Sequence, residues 1–282
     1  MNAPLTRALR SLAQASGLEV RRTTVYTSQK LRHQLLFSQL PIDLILDVGA
    51  NTGQFVHQCR AAGYKGGILS FEPSAAAHAA LLQSAASDPQ WIVAERIALG
   101  ATTGQVEINI AANSFSSSIL PMLDSHLAAA PNSAYLQKEK VPLRRLDDIV
   151  NELLVDNLDN LDNLDGAQAA SAPTRRIFLK LDVQGYESQV LAGATQLLHH
   201  TLAVQLEMSL LPLYEGETLM PQMHAAMAAK GFDLWDLEPS FRDPNTGRLL
   251  QIDAIFTRSP SDPSTLTQKS HTPLRTKSRT SN

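Results

Sequence analysis

Asp47 and Glu72 stand 25 residues apart, and Asp182 and Glu207 repeat the interval. Each of these acids sits at the end of a short, nearly all-apolar run: residues 42–48, 67–71, 177–182 and 202–206. Runs of this kind read as strands buried on both faces, as in a parallel sheet covered by helices. An interval of 25 residues is one strand–helix unit, so the spacing lines the four acids along one edge of a sheet. Between the runs the period changes to helical. Phe55, Val56, Cys59 and Ala62 recur on one face, with Asn51 and Gln54 placed as a capping box. Pro73 suits the start of a helix over 75–86. Tyr186, Val190, Leu191, Ala194, Leu197 and Leu198 form another apolar stripe, and a helix over 220–230 stops at Gly231. Further strands are expected at 91–97 and, as a hairpin, at 106–110. Only a Pro/Asn/Gly loop separates the strands expected at 232–237 and 250–256, so they should pair antiparallel. The expected fold is α/β: a doubly wound, mostly parallel sheet with right-handed crossovers and an antiparallel last strand.

Of the 282 residues, 44 % are hydrophobic and 18 % charged, which is globular composition. No apolar run approaches the roughly 20 residues needed to span a bilayer. One cysteine, Cys59, excludes an internal disulfide framework and a Cys-rich zinc site. It fits a reducing compartment, and the N-terminus lacks the continuous apolar region of a secretory signal, so the expected location is the cytoplasm. Residues 1–40 hold six basic residues and one acid, and residues 259–282 hold four and one; the formal net charge of −3 therefore leaves −11 on the middle. An acidic body argues against nucleic acid as partner. The basic ends read as a solvated helix and a loose tail, with weak contact to an anionic membrane surface as the alternative. The organisation expected is an N-terminal helical segment (1–40) and one α/β domain (41–258). An acidic low-complexity insertion (151–172) carries the triplet Asn-Leu-Asp three times from Asn157, and a disordered basic tail (259–282) follows.

Ligands of open α/β sheets bind beyond the carboxyl ends of the strands. There the turn after Asp47 has glycines at 49 and 53, which allow a ligand close to the backbone, while amides at the helix start offer donors. Glu72, ending the next strand, suits a ribose diol, because a carboxylate accepts from both hydroxyls. Together the bend and the acid specify a nucleoside-bearing ligand without saying which.

The segments Leu46-Asp47-Val48-Gly49-Ala50-Asn51-Thr52-Gly53, Phe71-Glu72-Pro73 and Leu179-Lys180-Leu181-Asp182-Val183-Gln184-Gly185-Tyr186-Glu187 closely resemble the FkbM-type S-adenosylmethionine-dependent methyltransferases. Ala98-Leu99-Gly100, Ser116-Ser117-Ser118, Arg145-Leu146-Asp147-Asp148 and Asp253-Ala254-Ile255-Phe256 support the resemblance, which covers roughly residues 42–257. Many members carry Glu where this chain has Gln184. The triplet repeat and the basic ends lie outside the pattern. The resemblance implies a Rossmann-like methyltransferase sheet and S-adenosylmethionine as cofactor. It implies methyl transfer to a hydroxyl, often on a sugar, of a small-molecule or glycan acceptor. Carried over by position, Asp47, Gly49, Asn51 and Gly53 belong to the turn at the methionine and ribose portion of the cofactor, Glu72 holds the ribose hydroxyls, and Ala98 lies near the adenine. Asp182 faces the methyl-transfer centre.

Methyl transfer from a sulfonium is an in-line displacement that gains mostly from placement, and an aliphatic hydroxyl must lose its proton at or after transfer. Asp182 is the first candidate for base or acceptor-orienting group, with capping of the next helix as its structural alternative. Glu207 either binds the acceptor or holds the Asp182 turn. His126 lies in the unpatterned segment 111–140, a possible lid. Glu187 reads as a dipole-stabilising acid in a first helical turn. His57 is expected exposed, His199 and His200 as helix-end caps, His224 as structural and Cys59 as a small core residue. Ser116 to Ser118 are loop donors; Tyr214 and Trp235 suit stacking on a sugar, with core packing the alternative for Trp235. No metal is expected, magnesium between residues 182 and 207 being the alternative. Two other functions share the pattern. One is a nicotinamide oxidoreductase, against which stand the missing third glycine and the absent Tyr-x-x-x-Lys pair. The other is a catalytically silent nucleoside-binding module.

Overall fold

A computed structural model describes residues 11–149 and 176–258. The triplet repeat and the basic tail fall outside the described residues, as does most of the helix read at 4–14. In chain order the elements are α1 (Gln29–Gln39), β1 (Leu44–Val48), α2 (Gln54–Ala61), β2 (Gly67–Phe71), α3 (Ala75–Ala85), β3 (Trp91–Val93) and β4 (Ala98–Leu99). Then follow β5 (Gly104–Ala111), α4 (Asp124–Ala129), β6 (Tyr135–Arg144), β7 (Ile177–Leu181), α5 (Glu187–Ala192), β8 (Thr201–Ser209), α6 (Met220–Ala229), β9 (Phe232–Arg242) and β10 (Leu249–Arg258).

Seven strands form one sheet in the order β3-β2-β1-β7-β8-β10-β9. The first five pair in parallel, and β10 pairs antiparallel with both β8 and β9. This is the doubly wound, mostly parallel arrangement expected, and the hairpin of β9 and β10 is its antiparallel end. Every residue of β1, β2 and β7 is buried, which explains why these strands read as continuous apolar runs. Their side chains alternate between two cores. Leu46, Val48, Leu179 and Leu181 pack with Val190 and Leu191 of α5 and Met223 and Met227 of α6. Ile45, Ile68 and Phe178 pack on the other face with Leu36 of α1, Phe55 and Cys59 of α2, and Leu81 of α3. Among the described residues no helix is long and apolar enough to cross a membrane.

The structure corrects several local expectations. The strand read at 91–97 ends at Val93, and the hairpin strand joins a separate three-stranded sheet, β4-β6-β5. The unpatterned segment 111–140 holds α4 and half of β6. Asn51 does not cap α2. Its φ of 48° bends the turn, and Gly53, at φ 97°, precedes the first helical residue without a side-chain cap. Left-handed backbone is what Gly adopts at least cost.

Candidate active site

Backbone contacts join three strand ends. The amides of Gly49 and Ala50 donate to the Phe71 carbonyl at 3.0 Å each, and the Asp182 amide donates to the Val48 carbonyl at 3.1 Å. The turns after β1 and β7 therefore touch. A Cβ on Gly49 would lie 1.9 Å from the Asp182 carbonyl oxygen, and Gly49 already holds φ 74°.

Above this junction lies a cavity of about 180 Å³. One end is mostly apolar, walled by Val48, Phe71, Pro73, Ile97, Ala98, Leu99 and Ile108, with Glu72 set among them. The other end carries Asp182, Gln184 and Glu207. Asn51 and the loop residues Ser114, Phe115, Ser117 and Ser118 contribute to the rim; Phe115 there is 61 % exposed. The strand-end acids at 72, 182 and 207, with Gly49, Asn51 and Ala98, thus share one wall.

Glu72 is buried, and its two oxygens accept from the Asn51 and Ser74 amides at 2.8 Å each. Each oxygen keeps a further lone pair for a ligand. Burial pushes its pKa up to about 7, and the two backbone bonds oppose that only in part. Beside it the Asn51 Oδ1 is buried without a hydrogen-bond partner, while Nδ2 donates to Ser114 Oγ at 3.3 Å.

Two predicted site residues are not in the wall. Asp47 points to the opposite face of β1 from Val48, because strand side chains alternate. It is fully buried there, and Ser70 Oγ, itself bonded by Trp91 Nε1, donates to its Oδ2 at 3.2 Å. Lys180 Nζ stands 3.2 Å from its Oδ1, an ion-pair contact rather than an aligned hydrogen bond. The same ammonium donates to the Gly49 carbonyl at 2.9 Å and lies 3.5 Å from Asp182 Oδ2. Burial pulls the Lys180 pKa down, but Asp47 and Asp182 outweigh it and push it up, so the ammonium stays charged. Gly53 also misses the wall; it packs on the Trp91 ring.

At the acidic end Gln184 Nε2 donates to Asp182 Oδ1 at 2.8 Å and to Glu207 Oε2 at 2.6 Å. Tyr214 donates its hydroxyl to Gln184 Oε1 at 2.7 Å. Glu207 is half-buried and also accepts from Gln251 Nε2 at 3.0 Å. It lies beside Asp253 in the β8–β10 register, and Asp253 lies beside Glu238 in the β10–β9 register. The close surroundings and the charges of Asp182 and Asp253 raise the Glu207 pKa well above the ordinary carboxylate range. Among the described residues no group of three or more His, Cys, Asp and Glu side chains is arranged to hold a metal ion.

The remaining candidates fall elsewhere. His126 is buried outside the cavity wall, its Nε2 3.2 Å from Ser116 Oγ and its ring against Tyr214 and Phe241; burial lowers its pKa to about 4. A buried neutral imidazole behind the wall is not a lid base. Glu187 does more than face a helix dipole: its Oε1 accepts from the Val183 amide at 2.9 Å and tightens the Asp182 turn. Tyr214 is fully buried and offers no face to a sugar, and Trp235 packs against the core beneath α1 and α2. The sequence reading missed Lys180, Tyr214 and Gln184 as organising groups. Lys180 carried a signal, a lone cation inside an otherwise apolar strand.

The cavity fits a nucleoside-bearing sulfonium donor: a buried carboxylate with spare lone pairs among apolar walls, an orphaned amide oxygen, and acids at the far end. No curated protein matches the chain. Solved structures similar to it include magnesium protoporphyrin IX methyltransferase from Synechocystis PCC 6803 with bound S-adenosylmethionine (12 % identity, 92 % of this chain and 100 % of that one, TM-score 0.40). Others are ribosomal protein L11 methylase from Lactobacillus delbrueckii subsp. bulgaricus (14 %, 83 % and 80 %, TM-score 0.37) and precorrin-6y C5,15-methyltransferase from Geobacter metallireducens GS-15 (10 %, 85 % and 94 %, TM-score 0.38). The methyltransferase FkbM domain matches residues 47–234, two-thirds of the chain, and the protein belongs to that family of S-adenosylmethionine-dependent methyltransferases.

Proposed function

We propose that this enzyme methylates a hydroxyl of a sugar or polysaccharide unit. The observation that carries the reading is one continuous cavity with Glu72 among apolar walls at one end and the Asp182–Glu207 pair at the other. S-adenosylmethionine supplies an electrophilic methyl group on a positively charged sulfur. Glu72 accepts from the two ribose hydroxyls, and Ala98 with Ile97 and Leu99 forms the apolar seat of the adenine. Gly49 and Asn51 line the passage toward the methionine portion. Asp182, with the Lys180 ammonium 3.5 Å from its Oδ2, orients the acceptor hydroxyl. Glu207, a stronger base than an ordinary carboxylate because burial and the charges of Asp182 and Asp253 raise its pKa, takes the hydroxyl proton. The acids of the far end suit a neutral polyol, which donates hydrogen bonds to carboxylates; phosphate-rich acceptors such as nucleic acid meet repulsion there. Membership in the family sets aside the nicotinamide and silent-module readings. We place the enzyme in the cytoplasm, where the buried Cys59 thiol stays reduced. The 1–40 segment and the 41–258 domain remain our division of the chain.

Calorimetry with S-adenosylhomocysteine tests the donor end: wild type binds, and Glu72→Ala loses at least about tenfold, the scale of one charge-assisted hydrogen bond. Labelled-methyl transfer to glycan fractions, with mass spectrometry of the released sugars, tests the acceptor. Methyl groups found on nitrogen, or on nucleotides alone, would overturn this reading.

A further inference from the structure

Gln184 occupies a costly position. Its φ is 56°, a left-handed conformation that non-glycine residues seldom adopt, and its side chain is buried. Every hydrogen-bonding atom of its amide is engaged. Tyr214 donates to Oε1, and the two N–H groups go to Asp182 and Glu207. The orientation is unambiguous, since a phenol that donates and two carboxylates that accept leave one way round for the amide. Its own carbonyl accepts from Ser118 Oγ at 2.7 Å, tying the arrangement to the loop that rims the cavity. Two carboxylates thus sit on either side of one nitrogen, at a place where their charges repel. Lys180 stands 3.5 Å from Asp182 Oδ2, the oxygen that Gln184 does not bond, and among the described residues lining the cavity there is no Lys, Arg or His.

We propose that Gln184 is a positioning residue that holds Asp182 and Glu207 together as one acidic wall facing the donor's charged sulfur, so that the cavity ranks ligands by charge, a cation above a neutral analogue. The inference rests on reading this cavity as the donor site. Its physical basis is simple. Two oxygen-rich groups that would separate are kept together by a donor they share, and a third positive group is attracted to both. The consequence concerns turnover as well. The donor arrives with a sulfonium and leaves as an uncharged thioether, so a wall of this kind favours exchange of spent product for fresh donor.

Two ligands of the same shape separate the charge effect from general binding: S-adenosylhomocysteine, neutral at sulfur, and sinefungin, which carries an ammonium there. Calorimetry should give wild type at least about a tenfold preference for sinefungin. In Asp182→Asn the preference should shrink at least about threefold, with S-adenosylhomocysteine affinity nearly unchanged. Gln184→Met, which keeps volume but donates nothing, should shrink the preference likewise; a purely structural role would weaken both ligands equally and leave the ratio alone. Should the Met variant fail to fold, a crystal structure of the wild-type sinefungin complex decides. The ammonium within about 4 Å of Asp182 or Glu207, with Gln184 still bridging them, supports the proposal, and an ammonium turned elsewhere refutes it. Equal affinities in wild type overturn the proposal alone. Failure of folded wild type to bind either ligand overturns the donor reading beneath it.

Discussion

At pH 6 the protein should hold S-adenosylhomocysteine about tenfold more weakly than at pH 8, and Glu72 should be the cause. The carboxylate must be ionised to accept from both ribose hydroxyls, yet burial has moved its pKa from an ordinary value of 4.5 to about 7. With that value roughly a tenth of the ligand-free molecules carry the anion at pH 6 and nine-tenths at pH 8, which sets the ratio. Hydroxyls donating to the anion lower the pKa in the complex, so the slope of log Kd against pH approaches minus one below pH 7 and flattens above it. No histidine lines the cavity among the described residues, so none there produces the same curve. The ligand-free fold responds with the opposite sign. A raised carboxylate pKa contributes stability that is fully present below 4.5 and lost as pH rises through 7, so Glu72 weakens the empty protein where it binds best. Calorimetric titration from pH 5.5 to 8.5, repeated with Glu72→Gln, reads both effects. A flat Kd in wild type, or a slope that survives in Glu72→Gln, would refute the reasoning.

Gly49→Ala and Gly53→Ala should separate binding from stability. Both positions hold left-handed backbone, which alone costs an alanine about 1–2 kcal/mol. At Gly49 the new methyl meets the Asp182 carbonyl at 1.9 Å and must part the two turns, so S-adenosylhomocysteine binding should disappear. At Gly53 it meets the Trp91 ring at 2.4 Å, behind the wall, so the melting temperature should fall while affinity stays within about threefold. Equal loss of affinity in both would show that the turn acts only as a whole. Lys180→Met should destabilise by about 3–5 kcal/mol in urea unfolding, since it leaves Asp47 buried without its cation. Adding Asp47→Asn should restore most of that loss; a double variant no better than the single one would show that the lysine acts through its bond to Gly49.

The repeated 25-residue interval brought Glu72, Asp182 and Glu207 to one edge of the sheet, and the structure puts all three in one cavity wall. The mostly parallel sheet with an antiparallel end followed from the same alternation. What escaped was the face on which each strand residue points. A strand buried on both sides has no polar side to betray its orientation, and Asp47 therefore looked like a wall residue although Val48 and Gly49 occupy the wall. The segment 111–140 gave no period because its order comes from local polar bonds. Asn113 Oδ1 accepts from the Ser116 amide, Ser117 Oγ from Ala111, and Asn109 Nδ2 reaches the Ser118 carbonyl at 3.0 Å. Such bonds depend on single residues and leave no periodic trace. Tyr214 joined the site from 30 residues beyond Gln184, a pairing that only the folded chain displays.

The two ends of the cavity are built by different means, and the difference bears on how acceptor choice is altered. The end we assign to the donor is shaped largely by main chain: amides of Gly49 and Ala50 on Phe71, the Asp182 amide on Val48, and Lys180 donating to the Gly49 carbonyl. Such contacts survive most side-chain changes but tolerate no shift of strand register, because a slip of one residue turns every side chain to the other face. The end we assign to the acceptor is made of side chains, Asp182 and Gln184 from the turn after β7 and Glu207 from β8, and Gln251 and Ser240 reach Glu207 from β10 and β9. Ser240 lies on the exposed edge strand, half-free of the core, so replacing it alters what approaches Glu207 without disturbing the stitched turns. If the acceptor assignment holds, replacements along β9 should alter acceptor choice at least cost to stability, whereas changes at the stitched turns should disturb the sheet's central register.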